Sequence, residues 1–387
     1  MGAETMNSKK YWIWLSMALG AAARVDEILS AFSDPKEIYD SGEAERMVAG
    51  VFTRRQLEKL SETKLSDAEN AIALCERRGW NIVTPRDLNY PAGLRKLPDK
   101  PLVLFVDGDI SCLRGRVMVG VVGTRKPCYE SIAITRKISS DLASAGAVVV
   151  SGGALGIDSA SHEGALNAGG KTVCVLGCGL GTDYLMENEA LRRSISQNGA
   201  VVTEYPPFKK ASRYTFPERN RIISGMSHGV LVVEAGAKSG SLITARRANE
   251  QGRDVFAIPG SVLTSAYTGV NNLIKDGAKA VTSAGDILES YAVMYPDRLN
   301  MAALDEKPLT KAISAQPEKK KPVKRLSSGF GGDADTVYNV FGENPLHPDD
   351  ICAASGLPMP KVIAALMQLE IGGCIEQTDG KNYILKN

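Results

Sequence analysis

Histidine is scarce in this chain of 387 residues: His162, His228 and His347 are the only three. No carboxylate/His metal motif and no G-x-S-x-G elbow occurs, so neither a metal centre nor a hydrolase triad is expected. The seven cysteines are odd in number and form no C-x-x-C pair. They read as reduced thiols of an intracellular protein, with Cys174 and Cys178 in the core. Charge of one sign is also lacking, because 46 Lys and Arg against 44 Asp and Glu leave a net charge of +2. Any nucleic-acid site is therefore a local patch. No apolar run reaches membrane-spanning length. Lys9-Lys10, the stretch Tyr11 to Gly20 and Ala21-Ala22-Ala23 imitate a signal peptide. Glu4, Trp12 and Trp14 spoil the imitation, and a helical rhythm runs on to Ile28 and Leu29. A cytoplasmic protein without a membrane partner is expected.

A hydrophobic content of 44% permits a sizeable core, and the length permits two or three domains. Residues 8–80 read as an N-terminal small helical (SAM-like) domain. Tyr11, Trp14, Leu15, Ala18, Val25, Ile28, Leu29 and Phe32 trace an apolar helical face, Asp34-Pro35 starts a helix, and a capped helix from Ser66 ends at Gly79. Residues 81–292 form the core. Pro101 to Val106 reads as a buried strand, and from 116 onward strand and helix alternate. Strands are predicted at 117–122, 147–151, 172–176, 200–204, 229–234 and 254–258. Helices are predicted at 129–145, 157–168, 187–198, 217–226, 241–251 and 270–276. That alternation specifies an α/β fold, a Rossmann-like doubly wound parallel sheet.

In such sheets ligands bind beyond the carboxyl ends of the strands. The first strand of the alternation runs into Gly123-Thr124-Arg125-Lys126, a turn that is neither G-x-G-x-x-G nor a P-loop. The second ends in Ser151-Gly152-Gly153, where two glycines would let backbone approach a ligand, and Asp158 follows in the first turn of the next helix. Gly177-Cys178-Gly179-Leu180-Gly181 after the third reads as a plain turn. Glu204 ends the fourth, followed by Lys209, Lys210 and Arg213, then by Phe216, Arg219, Asn220 and Arg221. Glu234 ends the fifth, before Lys238-Ser239-Gly240-Ser241 and Thr244. One rim thus gathers glycines, hydroxyls and cations, the combination that phosphates require. Asp158, Glu204 and Glu234 either orient the arginines and cap backbone N–H groups or act as carboxylates on a glycosidic bond. His162, four residues after Asp158, can pair with it on one helix face.

Residues 293–333 form a basic, Pro-containing linker: between Lys307 and Arg325 stand seven basic residues and one acid, Glu318. Residues 334–387 read as a winged-helix-like domain, with helices at 336–341, 348–354 and 358–369 and a hairpin turning at Asp379-Gly380. Lys361 is the one base-reaching cation on the third helix, which favours a protein contact or weak DNA contact over strong duplex reading.

Several of these segments resemble the DNA-processing protein A family, also called Smf. The similar segments are Val121-Val122-Gly123-Thr124-Arg125, residues 151–158 with His162 and Ala165-Leu166, residues 216–223, residues 239–245, and Phe256-Ala257-Ile258-Pro259-Gly260. Differences from the family's usual pattern fall at Gly153, Ser161-His162, Tyr184-Leu185 and Glu130. The resemblance implies single-stranded DNA binding, dimerisation and delivery of the strand to a RecA-type recombinase in natural transformation, with no catalysis, cofactor or metal. By position it implies phosphate contacts from Arg125, Lys238 and residues 216–221, with Phe216 stacking on a base. Dimer or recombinase contacts are implied near Asn271, Ile274 and Ala280. The competing function is a nucleoside monophosphate phosphoribohydrolase on the same core, with Glu204 or Glu234 acting. A third reading is an interaction scaffold to which DNA is incidental.

Overall fold

The Val-rich runs become strands of one nine-stranded sheet. They are β1 (Asn81–Val83), β2 (Leu104–Gly108), β3 (Met118–Val122), β4 (Val148–Ser151), β5 (Thr172–Val175), β6 (Ala200–Thr203), β7 (Gly229–Val232), β8 (Asp254–Ala257) and β9 (Lys279–Ala280). The computed structural model describes residues 3–21, 23–304, 330–342, 345–378 and 382–386. Strand order is β1-β2-β6-β5-β4-β3-β7-β8-β9. From β6 to β9 every pairing is parallel. The order grows one way from β3 through β6 and then restarts on the other side with β7, so the crevice between β3 and β7 is the topological switch point. One edge departs from the all-parallel expectation. β2 pairs antiparallel with β6, and β1 antiparallel with β2.

Strands β3 to β8 carry side chains buried on both faces, which is why they read as apolar runs without alternation. One face packs Val122, Val150, Val202 and Val232 under the helix Thr215–Met226. The other packs Val119, Val121, Val149 and Leu231 under the helices Tyr129–Ser144, Ile157–Asn167 and Ala284–Met294. Residues 295–304, grouped by composition with the linker, lie on this second cluster through Tyr295, Leu299, Met301 and Leu304.

The N-terminal helices share a core with β1 and β2. Trp12, Ile13, Trp14, Leu15 and Ala18 pack with Ile82, Val103 and Phe105. Four consecutive buried residues mean that the helix Ala3–Leu19 is covered on all sides here, rather than along a single stripe. Asp34 caps the helix Pro35–Asp40 as its sequence predicts. The helix Leu65–Arg78 starts one residue before Ser66 without a side-chain cap, and ends on Gly79 at φ 69°. Residues 1–313 form one unit and 314–387 another. In the second, helices Gly332–Tyr338, Pro348–Ser355 and Met359–Ile371 bury Val337, Ile351, Val362, Leu366 and Leu369 beside a hairpin of Ile375–Thr378 and Asn382–Leu385. The basic stretch Lys307 to Arg325 and the Asp379-Gly380 turn lie outside the described residues. Among the described residues no single helix is long and apolar enough to span a membrane.

Candidate nucleic-acid interface

At the switch point the loops after β3, β4, β6 and β7 enclose a cleft of about 330 Å³. Its lining includes Gly123, Thr124, Arg125, Asp158, Phe216, Arg219, Asn220, Ser239, Gly240, Ser241 and Thr244. Residues separated by more than a hundred positions are thus brought to one place. The Gly123 turn is held by its backbone. Thr124 N–H donates to the Glu234 carbonyl (2.9 Å), and Ile157 N–H donates to the Thr124 carbonyl (3.2 Å). Lys126 N–H donates to Thr124 Oγ1 (3.2 Å) and Cys128 N–H to Glu234 Oε2 (3.0 Å). Glu234 is therefore a strut under the turn.

Arg125 is exposed, and its guanidinium lies 5.1 Å from the centre of the Phe216 ring. Tyr184 sits 5.3 Å from the same ring, tilted by 43°. Cation and aromatic rings form a surface on which a base can stack while its phosphate meets the charge. Lys126 and Lys238 are exposed nearby in the chain, outside the cleft lining. Among the described residues Arg125, Lys126, Lys209, Lys210, Arg213 and Lys238 have no carboxylate partner.

The helix Ser241–Glu250 starts at the cleft with no acid in its first turn. Its first amides are already engaged: Ser241 N–H with Ser239 Oγ (3.4 Å), Leu242 N–H with the Ser239 carbonyl and Ile243 N–H with the Gly240 carbonyl (both 3.2 Å). Thr244 is 1% exposed and the Ser239 and Ser241 hydroxyls bond each other at 2.8 Å, so the helix dipole and this hydroxyl pair, more than free amides, are what the loop offers an anion.

Several sequence expectations change. Arg221 is 1% exposed and turned inward, with Nη2 on Glu204 Oε2 at 2.6 Å and Nε 3.4 Å from Asp99. It cannot reach a phosphate, and Glu204 is its buried counter-ion. Arg219 is 4% exposed, and its Nη1 donates to the carbonyls of Gly152 (2.7 Å) and Val175, so it underpins the cleft floor. Gly152 and Gly153 are buried. A Cβ on Gly152 would lie 2.3 Å from Arg219 Nη1 and 2.6 Å from Asp158 Oδ2, so that glycine makes room for an arginine and not for a ligand. Ser151 donates its hydroxyl to the Val121 carbonyl (2.6 Å) beneath the surface.

Asp158 accepts from Ala154 N–H at 3.3 Å. Burial pushes its carboxyl up, against the pull of Arg219. His162 does not pair with it. Thr172 Oγ1 donates to the Val149 carbonyl (2.8 Å), so it accepts the proton of His162 Nδ1 (2.7 Å), and Nε2 is left bare and buried. Burial, with Arg219 adding to it, drives the His162 pKa down to about 3.

The loop 206–214 adds two aromatics to the cations already read there from the sequence. Phe208 and Tyr214 are exposed, Arg213 stacks on the Tyr214 ring at 4.7 Å, and Lys209 and Lys210 lie between. Cations interleaved with aromatics were the available signal. The plain turn at Gly179 is a packing site, where a Cβ would fall 2.2 Å from the carbonyls of Pro206 and Pro207. Asn271 bonds both backbone groups of Gly260 (3.2 and 3.0 Å), Ile274 is half-buried against the core, and Ala280 is exposed on β9, one of the two edge strands of the sheet among the described residues.

In the second unit the exposed side of the third helix carries Met359, Ile363, Met367 and Ile371, and Lys361 is paired with Asp333 at 3.2 Å.

The profile of the family described as DNA recombination-mediator protein A matches residues 81–292, and that of the DprA winged helix domain matches 321–381. Protein Smf of Synechocystis is 35% identical over 322 residues, spanning 80% of this chain and 81% of its own. The X-ray structure of DNA processing protein A from Streptococcus pneumoniae superposes with a TM-score of 0.63 at 34% identity, covering 72% of this chain and 97% of that one. A structure of DNA processing protein A from Helicobacter pylori, described for its single-stranded DNA binding mode, gives 0.51 at 30% identity over 56% of this chain and 97% of that one. With a switch-point cleft of this composition and matches over this much of the chain, the protein belongs to the DNA recombination-mediator protein A family.

Proposed function

We propose that this protein binds single-stranded DNA, protects it, and hands it to a RecA-type recombinase during natural transformation or recombination, without catalysing a reaction itself. The carrying observation is the switch-point cleft, where exposed Arg125 stacks on Phe216 beside the paired hydroxyls of Ser239 and Ser241. A strand would cross from there to the aromatic and basic loop 206–214. The single-stranded DNA binding described for the Helicobacter pylori relative agrees with this reading. The open edge at β9 and the neighbouring Asn271, Ile274 and Ala280 are proposed as the dimer or recombinase contact, since an unpaired strand edge accepts another chain. The phosphoribohydrolase alternative loses support because Glu204 is tied to Arg221 and Glu234 to the Cys128 amide. A carboxylate so engaged is poorly placed to attack a glycosidic carbon.

Fluorescence anisotropy with an oligothymidylate and a duplex of equal length tests the proposal. The single strand should bind at least tenfold tighter. Equal binding of both, or release of adenine from AMP that is lost in Glu234→Gln, would overturn it.

A further inference from the structure

A second cavity, of about 360 Å³, opens at the opposite end of the same two strands, beside Met118 at the start of β3 and His228 just before β7. Its lining contains Lys96, Arg114, Arg116, Arg253 and Arg298, and no aspartate or glutamate. In a chain with 46 basic and 44 acidic residues, five cations converging without an acid form a strongly one-signed patch. Mutual repulsion makes such a cluster costly unless an anion relieves it.

Arg114, Arg116 and Arg253 are held by neutral acceptors, and the carboxylates that act on the cluster, Asp109 on Arg114 and Asp254 on His228, stand outside the lining. Arg114 donates to Asn89 Oδ1 (2.6 Å), Arg116 to the Gly146 carbonyl (3.3 Å), and Arg253 Nη2 to the carbonyls of Gly93 (3.2 Å) and Gly225 (3.3 Å). The buried Nε of Arg253 has no partner. None of the five pairs with a carboxylate among the described residues. His228 Nδ1 accepts Met118 N–H at 3.1 Å, which puts the ring proton on Nε2 as a donor. Tyr295 packs edge-on against His228 (5.4 Å) and carries Arg298 over its face (4.7 Å), so an aromatic wall stands beside the charges.

We propose that this cavity is a polyphosphate site separate from the DNA cleft, taking the phosphate tail of a nucleoside di- or triphosphate. Arginine forks suit adjacent phosphate oxygens, and the volume falls within the range of small-ligand pockets. β3 separates the two sites by roughly 17 Å of strand, so a ligand in one does not touch the other directly.

Isothermal titration of the full chain with ATP, and separately with inorganic tripolyphosphate, tests this. Saturable binding of one ATP per chain is expected, weakened at least tenfold by Arg116→Ala and by Arg298→Ala. Both side chains are exposed, so the fold should survive. Arg125→Ala should leave ATP binding unchanged. Absence of saturable binding at millimolar ATP and tripolyphosphate would overturn the proposal. So would loss of ATP binding in Arg125→Ala with none in Arg116→Ala, which would put the nucleotide in the DNA cleft. Competition between ATP and an oligothymidylate that disappears in Arg298→Ala would instead make a DNA strand the occupant of the cavity, and would equally refute a nucleotide site.

Discussion

Replacing Arg221 by methionine separates a structural arginine from a DNA contact. Its guanidinium is 1% exposed and meets Glu204, itself 6% exposed, at 2.6 Å. Methionine fills much of the same volume but leaves Glu204 buried without its cation. Breaking one side of a buried pair costs about 3–5 kcal/mol. Against a total stability of about 5–15 kcal/mol that is a large share. Adding Glu204→Gln removes the stranded charge, so the double variant should regain about 2 kcal/mol or more of the loss. In the single variant, desolvation pushes the Glu204 carboxyl up further than in the native protein, where burial already raises it. A carboxyl with a raised folded pKa holds a proton that the unfolded chain releases, so stability should fall as pH rises from about 4.5. Urea unfolding at pH 5 and pH 8 measures all three effects, and oligothymidylate titration of the folded fraction should show an unchanged salt dependence. If Arg221→Met unfolds within about 0.5 kcal/mol of the native protein while its DNA affinity and salt slope both drop, Arg221 is a phosphate contact and its buried pairing is wrong.

His162 is buried neutral with a pKa near 3, so folding excludes a proton that the unfolded chain takes up below about 6.5. Stability should therefore fall as pH drops through that window, by up to ~1.4 kcal/mol per pH unit. His162→Asn, which can keep a donor toward Thr172, should flatten the acid limb in urea titrations; an identical limb would show that another group sets it. Phe216→Ala should weaken oligothymidylate binding by about 1–3 kcal/mol without changing its salt slope, because a stacking face and no charge is lost. Filter binding across salt reads both quantities, and an unchanged affinity would remove Phe216 from the interface.

The alternation of Val-rich runs with capped helices made the parallel sheet legible, because strands buried on both faces leave an unbroken apolar record. The glycine punctuation after those strands also marked the loops that line the switch-point cleft. What sequence could not supply was the direction of each arginine. Arg219, Asn220 and Arg221 stand in a row, yet they project about 100° apart around a helix, and only the fold decides which one meets Glu204. The glycines after β4 misled for a related reason: Gly152 abuts the Arg219 side chain, 67 positions away, and Gly153 abuts Cys174. Phe208 and Tyr214 lie in a loop without periodicity, where only their interleaving with Lys209, Lys210 and Arg213 could mark them. The antiparallel edge was hidden because the apolar residues of β1 (Ile82, Val83) and β2 (Leu104, Phe105, Val106) carry no mark of direction.

The claim that Arg125 seats a phosphate of single-stranded DNA is tested most directly by the salt dependence of oligothymidylate binding in the native protein and Arg125→Ala. For single strands the logarithm of affinity falls with the logarithm of salt with a slope of about −0.7 per phosphate neutralised. The variant should bind more weakly at low salt, with a slope shallower by about 0.7, so that the two lines converge as salt rises. Two superimposed lines would contradict the account and place the strand elsewhere on the protein.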